Sequence, residues 1–333
     1  MIKAAVIGVG SMGQNHARVY REMSGVELVG IADLDQATVE RVARLRNTQP
    51  FTDYRHMLDV CRPDLVSVVV PTCYHCQVVL DVLDAGCHAL VEKPIAATVA
   101  EGEELIARAQ VTGRKLMVGH IVRFNPAVEV LKAQLDAGEL GRIFQVRCRR
   151  LGPFPTRIQD VGVVIDLATH DLDILRYLVG SPVVRLYAET EQKIHTAHED
   201  TMIATLRFAS GVIGSLDIDW LTPTKIREIT VTGERGMFLV DDLNQELYLY
   251  ENQEAIAEQW SNLILMHGVS IGRMIRYPIS RREPLYVELE AFVSAVREDR
   301  PVPVSGTDGL QALKLAQALV RSGQTGQVIE IDE

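Results

Sequence analysis

The glycine-rich segment Gly8-Val-Gly10-Ser-Met-Gly13 constrains the fold of this 333-residue chain more than any other feature. An apolar stretch, AAVIG, runs into the first glycine, and a helical pattern over residues 14–23 follows the last. A strand, a tight glycine turn and a helix in this order bring backbone N–H groups and a helix N-terminus against the pyrophosphate of a dinucleotide. The residues predicted to lie beside the pyrophosphate are Gly8, Gly10, Ser11, Met12 and Gly13.

A second apolar strand pattern, ELVGIAD, ends at Asp33, twenty residues after Gly13. A carboxylate at this place accepts hydrogen bonds from the ribose hydroxyls of the adenosine half of the cofactor. Leu34 follows, so no adjacent cation is available for a 2′-phosphate, and the sequence favours NAD(H) over NADP(H). The alternative is that Asp33 caps the helix that begins near Asp35.

Apolar strand patterns alternate with helical patterns through the first 120 residues. The strands are predicted at residues 3–8, 27–33, 65–70, 87–92 and 115–119. Repeated βα units with almost continuous apolar strands are typical of an α/β fold with a parallel, doubly wound Rossmann sheet. The pattern changes near residue 120, so we predict a first domain over residues 1–122 and a second over residues 123–333.

The second part of the chain is predicted to be an α+β domain. Helices are predicted over residues 126–137 and 161–178, and the strand patterns are FQVRCRR, VVRLYAET, TMIATLRFA, VIGSLDIDW, IREITVTG, MFLVDD and ELYLYE. Such a run of strands with Gly-bearing turns predicts a large, mostly antiparallel open sheet. Two last helices, residues 285–297 and 307–322, could pack back on the first domain, and we interpret residues 251–282 as a mobile or interface segment.

Charge and cysteine content narrow the class of protein. The net charge is −10 with a pI near 5.5, which argues against a nucleic-acid partner. No run of 18 apolar residues occurs, the chain enters a strand without a signal-peptide pattern, and five cysteines fit reduced thiols better than disulfides. We expect a cytoplasmic enzyme with a small-molecule substrate, no membrane partner, and a homodimeric or homotetrameric assembly through the second-domain sheet.

The segment Cys73-Tyr-His75-Cys76, with Cys87-His88 nearby, raises the alternative of zinc or redox chemistry. A structural zinc site needs four ligands in fixed geometry, whereas neighbouring residues on a strand point to opposite faces. We therefore predict no metal site and interpret these residues as small, half-buried side chains at a strand-to-helix turn.

Lys93, in Glu92-Lys93-Pro94, stands directly after the strand pattern of residues 87–92. Open parallel sheets bind their ligands outside the carboxyl ends of the strands, so Lys93 is predicted to face the cofactor crevice. A lysine that begins a loop is more often an ordinary surface residue. Its place after this strand favours a catalytic role.

A second chemical cluster, Asp166-Leu-Ala-Thr-His170-Asp171-Leu-Asp173, falls on the predicted helix of residues 161–178. Residues three and four apart share a helix face, so Asp166 and Asp173 are both predicted to lie near His170. A histidine oriented by a carboxylate is the usual arrangement of a general base. The alternative is a structural His170 with Asp171 and Asp173 on a solvated face.

These motifs, together with Pro71-Thr72-Cys-Tyr-His75, resemble those of the glucose-fructose oxidoreductase and inositol dehydrogenase (Gfo/Idh/MocA) family over essentially the whole chain. The resemblance implies a Rossmann domain followed by an open-sheet domain, and catalysis by Lys93, Asp166 and His170. His170 would act as the base, Lys93 would donate a hydrogen bond to the developing alkoxide, and Asp166 would orient the pair. It also implies cofactor contacts from Pro71, Thr72, His75, Glu92 and Lys93.

Further segments, residues 119–126, 150–157, 160–170 and 220–224, resemble the nucleotide-sugar 3-dehydrogenases of this family. That resemblance implies oxidation at C3 of a UDP-N-acetylhexosamine. Inositols and free sugars, which related members oxidise, remain alternatives. Two other classes also remain open: an NAD-binding sensor, and a lyase or isomerase that retains its cofactor.

A diphosphate substrate needs cations, which an acidic protein must supply locally. Arg147, Arg149 and Arg150 lie on one predicted strand, where alternate residues share a face. The alternative for these arginines is an exposed edge strand blunted by charge. The residues predicted to bind the substrate are Arg123, Asn125, Arg150, Arg157 and His170.

Overall fold

A computed structural model describes residues 1–155, 161–194, 197–252 and 271–331. The chain divides into two units, Met1–Phe124 with Glu283–Lys314, and Asn125–Arg282 with Leu315–Glu333. The first break lies two residues after the predicted boundary at residue 122. Residues 283–314, which the sequence analysis assigns to the second domain, belong to the first unit.

The first unit contains a six-stranded sheet in which all neighbouring strands are parallel. The strands are β1 (Ile2–Ile7), β2 (Val26–Ala32), β3 (Gln49–Phe51), β4 (Leu65–Val68), β5 (His88–Glu92) and β6 (Leu116–Gly119). Their order, β3-β2-β1-β4-β5-β6, reverses direction between β1 and β4, so the doubly wound Rossmann prediction is confirmed. All four residues of β4 are buried, which explains its continuous apolar pattern.

Helices surround this sheet and also pack in the second unit. In chain order they are α1 (Ser11–Glu22), α2 (Gln36–Arg46), α3 (Tyr54–Cys61), α4 (His75–Asp84), α5 (Val99–Thr112), α6 (Pro126–Asp136), α7 (Thr169–Val179), α8 (Pro284–Arg297) and α9 (Gly306–Thr325). The first helix, α1, begins three residues before the predicted start at residue 14, and neither α3 nor β3 was predicted. No helix in the described ranges is long and apolar enough to cross a membrane.

The second unit contains a large open sheet, and its described strands run in the order β14-β13-β12-β11-β7-β10-β9-β8-β15. These strands are β7 (Ile143–Pro153), β8 (Val183–Glu191), β9 (Thr201–Phe208), β10 (Ile213–Asp219), β11 (Leu221–Gly233), β12 (Gly236–Asp241), β13 (Glu246–Asn252), β14 (Ile271–Arg276) and β15 (Ile329–Glu330). Only the β7–β10 pair is parallel among them, which confirms the mostly antiparallel prediction.

One face of the second sheet is covered by helices. Along a strand, side chains that point to this buried face alternate with side chains that point to the opposite face. On β9, Met202, Ala204, Leu206 and Phe208 are buried, while the neighbouring Ile203 is 63% exposed. Residues 271–276 form the edge strand β14, paired with β13. Of residues 251–282, interpreted as a mobile or interface segment, residues 271–276 thus belong to the sheet, and residues 253–270 lie outside the described residues.

Candidate active site

The glycine turn after β1 has no room for side chains at its first and last positions. Gly8 has a φ of 87°, and a Cβ placed on it would lie 2.4 Å from the Val69 carbonyl oxygen. A Cβ on Gly13 would lie 1.9 Å from the carbonyl oxygen of Gly8. Only glycine therefore lets β1, α1 and the end of β4 approach this closely.

Gly10 differs from the two flanking glycines because its Cβ would meet no described atom within 4 Å. Gly10 is the N-cap residue of α1 and supplies no side-chain hydrogen bond to the helix. The first N–H groups of α1, including those of Ser11 and Met12, therefore remain for a ligand, at the positive end of the helix dipole. This cradle fits the pyrophosphate of a dinucleotide.

Asp33 at the end of β2 closes the other side of the turn. Its Oδ2 accepts a hydrogen bond from Val9 N at 2.7 Å, and its Oδ1 accepts one from Asp35 N at 3.0 Å. The capping alternative is wrong, because Asp35 itself is the N-cap residue of α2. Each carboxylate oxygen has a second lone pair, so the Asp33 carboxylate can also accept a ribose hydroxyl.

A cavity of about 500 Å³ opens beside Asp33 within the first unit. Its wall includes Leu34, Pro71, Tyr74, and, from the start of α3, Tyr54 and Arg55. The volume lies within the range of small-molecule pockets and suits an adenosine. Tyr54 and Arg55 were not predicted, since nothing in the local pattern marks them as cofactor residues.

Arg55 brings a cation to this pocket. The prediction from Leu34 considered only the residue next to Asp33 in the chain and therefore missed this cation. Its guanidinium Nη2 lies 2.7 Å from Asp81 Oδ2, and the Tyr54 hydroxyl donates to the same oxygen at 2.6 Å. The Arg55 charge is therefore balanced by Asp81, and the preference for NAD(H) rests on Asp33.

Lys93 is half-buried and follows β5, the strand next to β4 at the sheet edge that carries the glycine turn. The preceding Glu92 accepts a hydrogen bond from Lys93 N at 3.3 Å, and its other oxygen lies 3.1 Å from His16 Nε2 on α1. Burial raises the pKa of Glu92, but the hydrogen bond and charge of His16 outweigh burial and lower it overall. Glu92 thus links the turn at Lys93 to α1 through its contact with His16.

His75, which is predicted to contact the cofactor, has backbone partners for both nitrogens of its ring. Its buried ring lies with Nδ1 2.8 Å from Pro94 O and Nε2 2.9 Å from Val70 O. Burial lowers the pKa of His75, while the two carbonyl oxygens oppose that shift. Because both ring nitrogens already contact backbone, we assign His75 to positioning the turn after β4 against the Lys93-Pro94 turn. Pro71 and Thr72 lie in the turn between β4 and α4, where Pro71 lines the cofactor pocket.

The helix that carries the second cluster begins with a π-helical turn, Val164–Ala168, and continues as α7. Asp166 lies in the π turn and His170 in the first turn of α7, both half-buried. Single π turns inside helices are frequent at functional sites. Asp171 and Asp173 are 1% and 0% exposed, so the solvated-face alternative for these two residues is wrong.

Arg150 does not offer a free charge to a phosphate. Its Nε and Nη2 lie 2.7 and 2.9 Å from the two carboxylate oxygens of Asp171, and both side chains are buried. This bidentate pair gives Arg150 a structural partner, and substrate binding by Arg150 stays a prediction. We assign the pair to anchoring α7 on β7, directly beside His170.

Two other residues predicted to bind the substrate, Arg123 and Asn125, also form contacts within their own units. Arg123 is buried, with Nη2 3.2 Å from Asp308 Oδ1. Asn125 caps α6 by accepting from Ala127 N at 2.9 Å, and its amide donates to Asp242 O at 2.8 Å. Each side chain thus completes an interaction within its unit, and substrate binding by Arg123 and Asn125 stays a prediction.

The remaining predicted arginines do not form one cluster. Arg147 and Arg149 are exposed on the face of β7 opposite to Arg150, and Arg149 Nη1 donates to Glu228 at 3.0 Å. Arg157 lies outside the described residues. Within the described residues, no group of three or more His, Cys, Asp or Glu side chains is arranged to hold a metal ion.

A parallel doubly wound sheet with a pyrophosphate cradle, followed by an α/β sheet domain, defines an NAD-binding oxidoreductase. Residues 2–120 match the family model of the Gfo/Idh/MocA oxidoreductases for the NAD-binding Rossmann fold, and residues 132–331 match the model of their C-terminal α/β domain. The chain belongs to the Gfo/Idh/MocA family. NAD is its cofactor.

Similar proteins include several sugar dehydrogenases. The UDP-N-acetylglucosamine 3-dehydrogenase of Acidithiobacillus ferrooxidans is 29% identical over 315 residues, which cover 95% of each chain. Its crystal structure superposes with a TM-score of 0.86 over 97% of this chain and 98% of that one. The D-glucoside 3-dehydrogenase of Escherichia coli is 27% identical, over 99% of this chain and 97% of that protein.

The WlbA dehydrogenase of Bordetella pertussis, crystallised with NADH and UDP-GlcNAcA, shares the fold. Its TM-score is 0.81 at 24% identity, over 100% of this chain and 99% of that one.

Proposed function

We propose that this protein is an NAD-dependent dehydrogenase that oxidises a secondary alcohol of a sugar, at C3 of a UDP-N-acetylhexosamine. The observation that carries the proposal is the full-length similarity to UDP-N-acetylglucosamine 3-dehydrogenase, which spans both Lys93 and His170. The half-buried Lys93 at the end of β5 supports it, because a cation at this sheet edge can stabilise developing negative charge.

Oxidation of a secondary alcohol removes a proton from oxygen and a hydride from carbon. NAD, when bound, accepts the hydride. In our proposal His170 takes the proton and Lys93 donates a hydrogen bond to the developing alkoxide. Asp166 orients or charge-balances this pair. The buried Arg150–Asp171 pair supports the assignment of His170, because it holds the helix that carries the base.

A free-sugar or inositol dehydrogenase of the same family is the second candidate. The ion pairs of Arg123 and Arg150 favour it, since two cations expected for a diphosphate are neutralised by Asp308 and Asp171. The relative that acts on D-glucosides has almost the same identity as the one that acts on UDP-N-acetylglucosamine.

Product analysis with matched substrates tests the proposal. Purified protein is scanned for bound nicotinamide and then incubated with NAD and UDP-N-acetylglucosamine, its uronate, methyl glucoside or myo-inositol. We expect a 3-keto nucleotide sugar by mass spectrometry, and NADH by absorbance if the cofactor exchanges. Oxidised products from free polyols alone would indicate that the protein is an inositol dehydrogenase of the same family. Bound NAD without any oxidised product would favour an NAD-binding sensor. An elimination or isomerisation product would favour a lyase or isomerase that retains its cofactor.

We also propose a cytoplasmic homodimer or homotetramer formed through the second-unit sheet. All five cysteines are free thiols in the described chain, which suits a reducing compartment. The helix-free face of the sheet exposes Ile203, a large apolar side chain, and thereby supports a protein contact there. Light scattering of the purified protein measures the assembly, and Ile203→Glu should shift it toward monomer.

A further inference from the structure

We propose that Arg227, on β11 of the second unit, binds an anionic group of the substrate, either a carboxylate or a phosphate. This inference rests on the proposed function in one respect: the anion is taken to be part of the molecule that is oxidised. Arg227 is not among the residues predicted from the sequence to bind the substrate.

The register of the sheet places Arg227 directly opposite Arg150 on the neighbouring antiparallel strand β7. Directly opposite residues of an antiparallel pair project on the same face, and like charges there destabilise the sheet. Arg150 is buried, so this is the helix-covered face. Two guanidinium groups on one protected face need compensating anions.

The two arginines differ in how that compensation is met. Arg150 is held by both oxygens of Asp171, at 2.7 and 2.9 Å. Arg227 forms no ion pair with a carboxylate in the described parts of the chain; its Nη1 donates to Leu151 O at 2.6 Å and to Ile226 O at 2.8 Å. These two backbone contacts fix one nitrogen, and Nη2 and Nε remain as donors for a ligand.

The strand next to Arg227 has no side chain at the position that faces the guanidinium. A Cβ placed on Gly152 of β7 would lie 3.9 Å from Nη1 and from Nη2 of Arg227, so the glycine leaves the guanidinium uncovered on that side. The side chain is half-buried, which excludes part of the competing water. Lys225 lies next to the same glycine, with Cγ 3.6 Å from the Cβ position, and adds positive charge.

The charged residues near Arg227 include Asp166 and Asp171, which lie on either side of the proposed base His170 in the chain. Burial and the Arg150 charge lower the pKa of Arg227, while Asp171, Asp242 and Asp166 oppose that shift. Arg227 thus belongs to the same electrostatic cluster as Asp166 of the π turn. A guanidinium binds carboxylate or phosphate oxygens in a fixed fork, so an anion here would fix the orientation of a substrate beside this helix.

Binding measurements on the NADH-loaded protein test the assignment without requiring turnover. UDP serves as the diphosphate probe and glucuronate as the carboxylate probe, each titrated calorimetrically into wild type, Arg227→Gln and Arg227→Lys. Arg147→Gln, on the opposite face of the sheet, is the matched control. We expect Arg227→Gln to weaken one probe by roughly tenfold or more, Arg227→Lys to weaken it less, and the control to leave it unchanged.

The outcomes are distinguishable. Loss of UDP affinity identifies a phosphate ligand, and loss of glucuronate affinity a carboxylate ligand. Unchanged affinity for both probes in Arg227→Gln, or no binding of either probe to wild type, overturns the assignment. NADH affinity and thermal midpoint equal to wild type exclude misfolding, and rescue by Arg227→Lys separates charge from packing. If a probe binds through Arg227 but no nucleotide sugar is oxidised, the proposed function fails and the anion site stands.

Discussion

Arg150 and Asp171 form a buried bidentate ion pair that joins β7 to the first turn of α7, with nitrogen–oxygen distances of 2.7 and 2.9 Å. Asp171 directly follows His170 in the chain, so the pair fixes the helix turn that carries the proposed base. A buried pair of this kind adds little over an apolar pair, yet removal of one partner leaves an uncompensated charge.

We therefore expect Asp171→Ala to destabilise the protein by about 3–5 kcal/mol. Urea unfolding followed by circular dichroism measures the change. Glu228→Gln, which removes the exposed partner of Arg149, is the control and should cost at most about 1 kcal/mol. Equal effects of the two substitutions would show that the Arg150–Asp171 pair is not a structural anchor.

Asp33 should determine the choice of cofactor. A carboxylate facing a 2′-phosphate repels it by about 4 kcal/mol for unit charges 4 Å apart at a near-surface dielectric. Asp33→Asn keeps an acceptor for Val9 N and removes the charge, so NADP(H) affinity should rise while NAD(H) affinity falls modestly. Fluorescence titration with both reduced cofactors measures the gap. Equal dissociation constants in wild type would refute the assignment.

Lys93 and His170 should act in the transition state and not in cofactor binding. Replacing either by Ala should lower turnover by roughly 10²-fold or more and leave NADH affinity nearly unchanged. Lys314→Ala on α9, which loses a contact with the exposed Glu103, is a suitable control. Retained turnover in Lys93→Ala or His170→Ala would contradict the proposed roles, whereas joint loss of folding and NADH binding would indicate a structural one.

Glu288 on α8 should make stability depend on pH. Its carboxyl group is fully buried, and neither oxygen has a hydrogen-bond partner in the described structure. Burial raises the pKa of Glu288 well above its ordinary value, and the negative charge of Glu92 adds to the shift. A raised carboxyl pKa in the folded state stabilises the protein below the unfolded pKa, and this stability is lost as pH rises through the folded value.

Glu288→Gln removes that ionisation, so its thermal midpoint should exceed that of wild type by a margin that grows from pH 5 to pH 9. Scanning calorimetry across this range measures the margin. Glu290→Gln on the same helix, at a half-buried position, is the control and should give a curve parallel to wild type. A parallel curve for Glu288→Gln as well would mean that Glu288 is already ionised in the folded protein.

The cofactor and the fold that binds it were predictable because their signals are local. The glycine turn depends on sterics within a few residues, and the structure leaves Gly8 and Gly13 no space for a side chain while Gly10 stays open. The apolar strand patterns likewise predicted the parallel sheet, since the central strands β4, β5 and β6 are buried on both faces. Tyr54 and Arg55 escaped prediction because they reach the adenosine pocket from a different helix.

The substrate side was less predictable because its polar residues depend on partners far away in sequence. His75 resembled a first contact of the cofactor, but its ring nitrogens meet the carbonyl oxygens of Val70 and Pro94. Arg123 and Asn125 resembled phosphate and sugar ligands, but they contact Asp308 and Asp242.

The sequence by itself determined the Rossmann class and the NAD preference, because these follow from local sterics and from the spacing between the glycine turn and Asp33. It also determined that the first sheet is parallel and the second mostly antiparallel, because the strand patterns alternate with helical patterns in the first part of the chain and follow one another in the second. The two-residue period of strands also showed that Arg150 and Arg147 point to opposite faces of β7. Only the tertiary structure decided which face the helices cover, and thereby that Arg150 is neutralised by Asp171. It also decided that Arg227, its cross-strand neighbour, donates to backbone oxygens and forms no ion pair with a carboxylate of the described residues. Ion pairing depends on distances of a few ångströms between distant chain segments, and no local pattern encodes them.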